Sequence, residues 1–321
     1  MKDKQKIFPI LSLTALLAVS SISGYHFSFN NKYNVNNTYK SDDIFTEDGI
    51  SQNYEANMED LVDCSYFVPQ GLTFSDSYSF ISFYDYSKHN KSIIRCFLQD
   101  GTLVNTFSLA NDSHVGGISF DEVHDLLWVC STNGEVDAYR LDDVISKDSS
   151  LPCYSGLKVG SGLPNYTNPF VNSVSYLTVF NGDLYVGNFS IYDKGNVKKY
   201  SIIVDDDRRV ILKLLDSFKV PSMVQGLAFY EHDENTYLIL SRSFGCGKAS
   251  ALQIFKYKEN VKDYTKPIVH SKTFEFPSMM EQIEVFDNYL YSLYEYESKI
   301  YGGKSDNEYI LRISNMDEVI K

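Results

Sequence analysis

The chain has 321 residues, of which 43% are hydrophobic and 22% charged, a composition typical of globular proteins. Its formal net charge of −13 at pH 7 excludes a surface that attracts nucleic acid or anionic lipid, and leaves cationic ligands, Ca²⁺ and neutral sugars open. The 25 Tyr and 21 Phe residues, against a single Trp, favour strands over helices.

The N-terminus, residues 1–23, has the pattern of a secretory signal peptide. Three Lys residues precede an uncharged apolar run from Ile7 to Ile22, and small residues follow it. Because the run is shorter than the ~20 apolar residues of a spanning helix, we expect cleavage rather than an uncleaved anchor. We therefore predict export to the cell envelope or the medium, with no membrane span after cleavage.

Residues 24–57 are rich in Asn, Tyr, Ser and Asp and show no periodicity, which predicts a flexible spacer. Residues 58–321 instead contain short alternating runs separated by Asp-Gly and Asn-Gly turns, the pattern of β-hairpins. Only Asp142–Ser146 and Met316–Ile320 favour short helical turns. The sequence therefore predicts an all-β domain over 58–321.

Five similar segments recur about every fifty residues, which indicates a β-propeller. Each is followed by a turn, a Tyr- or Leu-rich strand, a polar loop and a third strand. The segments are Val68–Phe74, His114–Phe120, Asn172–Val179, Met223–Phe229 and Met280–Val285. We predict five blades, with a sixth around Leu151–Phe170 and a β-sandwich as the alternatives. A strand near Met58–Phe67 is expected to close the ring beside the last blade.

The repeats resemble those of secreted propellers of the NHL, YncE-like and SMP-30-like type. Gln70-Gly71-Leu72 with the downstream Lys91-Ser92-Ile93-Ile94 is similar to the opening of plant-type glutaminyl cyclotransferases, and Gln225-Gly226-Leu227 through Ser250-Ala251-Leu252 repeats the pattern. That family is a five-bladed propeller that cyclises N-terminal glutamine. The resemblance implies the same fold. It also implies a proton-transferring Glu before a Gly in the second blade, where this sequence has Gly116.

Polar residues just before the innermost strands are expected to surround one mouth of the central channel and to bind a ligand there. These candidates are Gln70, Asn172, Ser175 and Gln225. Arg242, in a polar loop after a second strand, would hold a ligand carboxylate or pair with Glu295. The alternative is that such side chains only satisfy the backbones of neighbouring blades.

Glu281 and His114 are the candidate catalytic residues. Glu281 occupies the register of Gln70 and Gln225, so a carboxyl group replaces an amide there. Burial among apolar residues would raise its pKa and allow it to act as acid or base, with His114 as partner. The alternative is a static, paired carboxylate.

No P-loop, G-x-S-x-G, H-E-x-x-H, EF-hand or dinucleotide motif occurs, and the five Cys lack metal-ligand spacing, so no cofactor or metal is identified. A Cys130–Cys153 disulfide and buried free thiols both remain open. We expect a monomeric propeller that binds a small molecule, peptide or glycan. A propeller enzyme of cyclotransferase, lactonase or lyase type and a structural envelope protein are the alternatives.

Overall fold

The computed structural model describes residues 38–40, 66–146, 154–158, 174–204, 210–266, 270–295 and 311–320. Within them the chain forms five sheets in sequence order, antiparallel except for the short strand β1 (Thr38–Lys40), and these sheets are the blades of a five-bladed β-propeller. The predicted fold class is confirmed. The predicted spacer and signal, apart from residues 38–40, lie outside the described residues, as does most of the alternative sixth blade.

The first three blades have four described strands each. Blade 1 contains β2 (Phe67–Phe74), β3 (Tyr78–Asp85), β4 (Ile93–Leu98) and β5 (Leu103–Ser108). Blade 2 contains β6 (Ile118–Asp121), β7 (Leu126–Cys130), β8 (Glu135–Arg140) and β9 (Tyr154–Lys158). Blade 3 contains β10 (Tyr176–Phe180), β11 (Asp183–Gly187), β12 (Gly195–Val204) and β13 (Val210–Val220).

The last two blades differ at their outer edges. Blade 4 contains β14 (Val224–His232), β15 (Asn235–Arg242), β16 (Ser250–Lys256) and β17 (His270–Phe276). Blade 5 contains β18 (Met280–Phe286), β19 (Tyr289–Tyr294) and β20 (Leu311–Asn315). The three-residue strand β1, Thr38–Lys40, pairs in parallel with β17 and so extends blade 4. This part of the predicted spacer therefore lies against the propeller.

The innermost strands close the ring. Each contacts the next in the order β2, β6, β10, β14 and β18, and β18 contacts β2. Of the segment that was expected to close the ring, residues 58–65 lie outside the described residues. Phe67 begins β2 of the first blade instead.

Five apolar clusters of described residues fill the spaces between neighbouring blades. Between blades 5 and 1, for example, Leu72 and Ile81 pack against Tyr291 and Leu293. Burial of aliphatic and aromatic side chains on both faces of each blade is the main stabilising contribution to such a fold. Strands such as β3 and β7 are accordingly buried almost continuously and not in alternation, because each face packs against a neighbouring blade.

Cys96 and Cys130 are buried free thiols within this core. Burial raises the pKa of Cys96 to about 12 and the pKa of Cys130 further still. The Cys130–Cys153 disulfide considered from the sequence is therefore not formed. Both residues act as small apolar side chains.

Several local predictions are confirmed. The Asn181-Gly182 and Asp287-Asn288 pairs have positive φ at both residues, as type I′ hairpin turns require. Short helices α1 (Leu141–Ile145) and α2 (Met316–Ile320) occupy the predicted positions. Asn133-Gly134 differs, because it belongs to the 3₁₀ turn Thr132–Gly134 rather than to a two-residue hairpin.

Candidate functional site

Three innermost strands carry a β-bulge at the predicted polar positions. The register shifts between Pro69 and Gly71 in β2, between Val224 and Gly226 in β14, and between Met280 and Ile283 in β18. A bulge leaves its extra residue out of the ladder and redirects the side chain. Gln70, Gln225 and Glu281 are these redirected residues, which supports the register proposed from the sequence.

The backbone leading into the innermost strands is strained in three blades. Val115, Met223 and Met279 have φ values of 47°, 66° and 64°, in the left-handed region that non-glycine residues rarely adopt. Such strain often accompanies functional sites, where surrounding structure holds the backbone in place. Here the strained residue lies one position before Gly116 and two positions before Gln225 and Glu281.

A cavity of about 800 Å³, including its open mouth, lies where these strands begin. The residues that come from the beginnings of the innermost strands are Gln70, His114, Gly116, Val174, Ser175, Gln225, Met279 and Glu281. Those that follow second strands are Phe189, Ile191, Phe244, Gly245 and Glu295. The cavity thus combines polar groups near the channel with a partly exposed apolar wall.

The structure brings five of the seven predicted site residues to this cavity. Gln70, His114, Ser175, Gln225 and Glu281 all line it. Asn172 lies outside the described residues. Arg242 is not among the lining residues, and its Nε donates a hydrogen bond to the carbonyl oxygen of Ser222 at 2.8 Å.

Burial lowers the pKa of Arg242 to about 10, which leaves the guanidinium charged near neutrality. Its bond to Ser222 holds the turn that precedes β14. Arg242 therefore stabilises the approach to blade 4 and does not face the cavity as a carboxylate clamp.

Glu281 and Glu295 form a buried carboxyl pair, with 4% and 5% of their surfaces exposed. Gln225 Nε2 donates to Glu281 Oε1 at 3.2 Å, and Gln70 Nε2 donates to Glu295 Oε1 at 2.5 Å. Glu295 belongs to a polar loop considered in the sequence, but its pairing with Glu281 was not foreseen. Glu281 lies in β18 and Glu295 directly follows β19, and the pairing of Met280 with Tyr294 brings the two carboxyl groups to the same end of blade 5.

Burial and the neighbouring Glu295 raise the pKa of Glu281 well above its ordinary value. Burial raises the pKa of Glu295 to about 7, although the hydrogen bond from Gln70 opposes this increase. Like charges close together in a low dielectric cannot easily ionise together. The pair therefore retains at least one proton near neutral pH and titrates as a unit.

His114 lines the same cavity but is not hydrogen-bonded to Glu281, whose side chain takes its hydrogen bond from Gln225. The His114 ring lies against the Tyr84 ring, with centroids 4.2 Å apart. Burial, together with the charge of Lys88, lowers the pKa of His114 to about 4. The imidazole is therefore neutral near pH 7, and the predicted Glu281–His114 pair is replaced by Glu281–Glu295.

Gly116 has no room for a side chain, because a Cβ there would overlap the carbonyl oxygen of Ser175. This is the position at which the resemblance implies a catalytic Glu. In this fold a carboxylate cannot occupy it without displacing blade 3. The acidic groups of the cavity come from blade 5 instead.

The apolar wall is formed by loops of blades 3 and 4. The rings of Phe189 and Phe244 stack with centroids 6.1 Å apart, and Ile191 lies in the same wall. Ser175 Oγ accepts a hydrogen bond from the backbone N–H of Phe189 at 3.0 Å and so fixes the start of this loop. Ser175 therefore has a structural contact as well as a place in the cavity.

Gln282 was missed by the sequence prediction and lies fully buried beneath the cavity. Its Oε1 accepts hydrogen bonds from the N–H groups of Leu72 and Ile118 at 3.1 and 2.9 Å, and its Nε2 donates to Ile118 O at 2.6 Å. Added Cβ atoms on Gly71 and Gly226 would crowd Gln282, which explains the glycines at these positions. One side chain thus joins blades 1, 2 and 5.

Within the described parts of the chain, no group of three or more His, Cys, Asp and Glu residues is arranged to hold a metal ion. Nor does any helix described there have the length and hydropathy needed to cross a membrane.

Solved structures similar to this chain include the crystal structure of RRP9 WD40 repeats, at 11% identity and a TM-score of 0.43 over 76% of this chain and 79% of that chain. The structure of U3-55K is similar at 11% identity and a TM-score of 0.41, over 76% and 80% of the respective chains. No protein-family model and no curated protein matches the chain. The resemblance to NHL, YncE-like and glutaminyl cyclotransferase propellers is not shown by these comparisons.

Proposed function

We propose that this protein is an exported or cell-surface β-propeller that binds a small molecule, or the end of a peptide or glycan, in the cavity at the channel mouth. The supporting observation is that each of the five blades contributes at least one polar side chain to the same cavity. These side chains are Gln70, His114, Ser175, Gln225 and Glu281, with Glu295 as a second one from blade 5.

The lining of the cavity supports this proposal. Ligand pockets generally combine apolar walls with a few converging polar groups. This cavity has its aromatic wall at Phe189 and Phe244 and its polar groups near the channel. The proposal of export depends separately on the pattern of residues 1–23.

Filling the cavity tests the binding proposal. Ile191→Trp should place an indole in the cavity, whereas Val123→Trp changes an exposed residue of a turn in blade 2, 72% exposed, that does not line the cavity. The probes are 2-phenylethylamine, 2-phenylethanol, the peptide Phe-Gly-Gly and tri-N-acetylchitotriose, with affinities measured by isothermal titration calorimetry. We expect at least one to bind, with about tenfold or greater weakening in Ile191→Trp alone. Binding that Ile191→Trp leaves intact, or binding of no probe, would contradict the proposal.

A second candidate function is catalysis by the carboxyl pair, of the cyclotransferase, lactonase or lyase type. The observation that favours it is that Glu295 has a pKa of about 7 beside the more strongly protonated Glu281, which suits acid–base exchange. We expect the unmodified protein to turn over an N-terminal glutaminyl peptide or a γ-lactone. We expect the rate of that turnover to decrease by about a hundredfold or more in Glu281→Gln. An absence of turnover of both substrates in the unmodified protein would count against this candidate.

A further inference from the structure

The polar end of the cavity has more hydrogen-bond acceptors than donors. Gln70 Nε2 uses its two N–H groups on Pro69 O, at 2.8 Å, and on Glu295 Oε1. Its Oε1 is buried and accepts no hydrogen bond, although buried amide oxygens nearly always have a donor. A ligand that supplies N–H or O–H groups would satisfy it.

Glu281 and Glu295 add two further acceptors once a bound cation displaces the proton that the pair retains, because an adjacent positive charge favours the ionised carboxylates. Each receives a side-chain hydrogen bond at Oε1, from Gln225 and Gln70 respectively. In hydrogen bonds between described residues, neither Oε2 has a donor. Three acceptor atoms therefore belong to one cluster at the polar end of the cavity.

The same cluster lacks a compensating cation, because no Lys or Arg is among the described residues that line the cavity. An ionised carboxylate removed from water is destabilised unless it is paired and hydrogen-bonded. A ligand cation would supply that pairing. The acidic chain, with a net charge of −13, would also attract cations toward the mouth.

The apolar wall of the same cavity favours a particular kind of group attached to the cation. Phe189 and Phe244 present stacked aromatic rings, and Ile191 extends the apolar surface. Such a wall favours an aromatic or branched apolar group and interacts well with an adjacent ammonium. A metal ion would gain nothing from this wall, and a sugar hydroxyl would leave the carboxyl pair without a cation.

We propose that the cavity binds a protonated primary amine carried on an aromatic or branched apolar group, with its three N–H donors directed to Gln70 Oε1, Glu281 and Glu295. An ammonium has three donors and no acceptor, which matches the three atoms. This inference rests on the proposed binding function and specifies its ligand. A protonated amine next to an apolar group occurs both in a free amine and at the N-terminus of a peptide, and either could bind in this way.

Matched probes test the inference by isothermal titration calorimetry at pH 8. 2-Phenylethylamine and 2-phenylethanol have nearly the same shape and differ in the ammonium. We expect the amine to bind about tenfold more tightly or better, and we expect Glu295→Gln to reduce this amine-to-alcohol preference by a similar factor. Glu284→Gln, which changes another buried carboxyl of β18 outside the cavity lining, should keep the preference.

Two further probes distinguish the source of the amine. Phe-Gly-Gly binding more tightly than 2-phenylethylamine, with binding lost on N-acetylation, would identify a peptide N-terminus; the reverse order would identify a free amine. Equal binding of the alcohol and the amine, or an unchanged preference in Glu295→Gln, would overturn the inference. If 2-phenylethanol or tri-N-acetylchitotriose still binds and Ile191→Trp blocks that binding, the binding function stands while the amine inference fails. Binding of no probe would overturn both.

Discussion

The charge of the cavity is set by the two carboxyl groups of Glu281 and Glu295. Each accepts an amide N–H, from Gln225 and Gln70, and neither is exposed enough for water to stabilise its ionised form. The amide bonds hold the side chains in place while burial keeps a proton on the pair. The polar end of the cavity can therefore change its charge near neutral pH without a change of fold.

Removing the Glu295 carboxyl should change how stability depends on pH. The pKa of Glu295 is about 7 in the folded protein, above its ordinary value of 4.5, so the folded state binds more protons between these values. Stability should therefore fall as pH rises from about 5 to about 7, by on the order of 2 to 3 kcal/mol for this group. Glu295→Gln should make this decline shallower in urea unfolding followed at several pH values.

Other titratable groups around the pair contribute separately to the pH dependence of stability. His114 has a pKa of about 4 in the folded protein but its ordinary value of 6.5 in the unfolded chain, so it makes stability rise with pH across this range, opposite to Glu295. Arg242 on β15 has a pKa of about 10 and keeps its charge. Glu284 on β18 also has a raised pKa. The variant Glu284→Gln therefore measures how much of the pH dependence of stability comes from Glu284. The exposed Glu122→Gln is the matched surface control. A slope in Glu295→Gln equal to that of the unmodified protein would refute the assignment.

At the scale of strands, the bulges in β2, β14 and β18 explain why the site could be predicted in part. Gln70, Gln225 and Glu281 follow a similar apolar pattern, so alignment of the repeats placed them in one register. The role of Gln282 was not predicted, because in the alignment of the repeats Gln282 corresponds to Gly71 and Gly226, which have no side chain. The side-chain oxygen of Gln282 lies close to Gly71, and the Gln282 backbone lies close to Gly226, so a Cβ at either glycine would be crowded.

Gln282→Leu should destabilise the propeller strongly. The substitution removes three hydrogen bonds and leaves the N–H of Leu72 and both backbone groups of Ile118 buried without a partner. Each such loss costs about 1–3 kcal/mol, so a decrease of about 3 kcal/mol or more in the free energy of unfolding is expected. Denaturant unfolding measures it.

Gln99→Leu provides the control, since Gln99 donates only to carbonyl oxygens of a surface turn. Its effect should stay below about 1 kcal/mol. Comparable stability of Gln282→Leu and Gln99→Leu would show that Gln282 does not join the blades.

The outer strands were less predictable than the inner ones. β1 is only three residues long and pairs in parallel with β17, more than two hundred positions away. A short polar segment has no periodicity that would reveal such a partner. Glu295 was missed for a related reason, because its contact with blade 1 depends on ring closure and not on any local pattern.

At the scale of the whole molecule, the ring of innermost strands is what turns weakly similar repeats into one site. The contact between β18 and β2 brings the last blade beside the first and places Glu281, Glu295 and Gln70 together. The recurring segments were sufficient to predict five blades and most polar positions. They could not predict the carboxyl pair, because Glu281 and Glu295 are brought together by the bulged pairing of β18 with β19, a register that the sequence pattern did not specify.

A crystal structure of the protein with 2-phenylethylamine at pH 8 tests the central claim most directly. The account predicts the probe in the cavity, with its nitrogen within hydrogen-bonding distance of Glu281, Glu295 and Gln70 Oε1 and its ring against Phe189 or Phe244. The account would be contradicted by a structure in which Gln70, Gln225 and Glu281 turn into the blade interfaces, or in which the probe binds elsewhere or not at all.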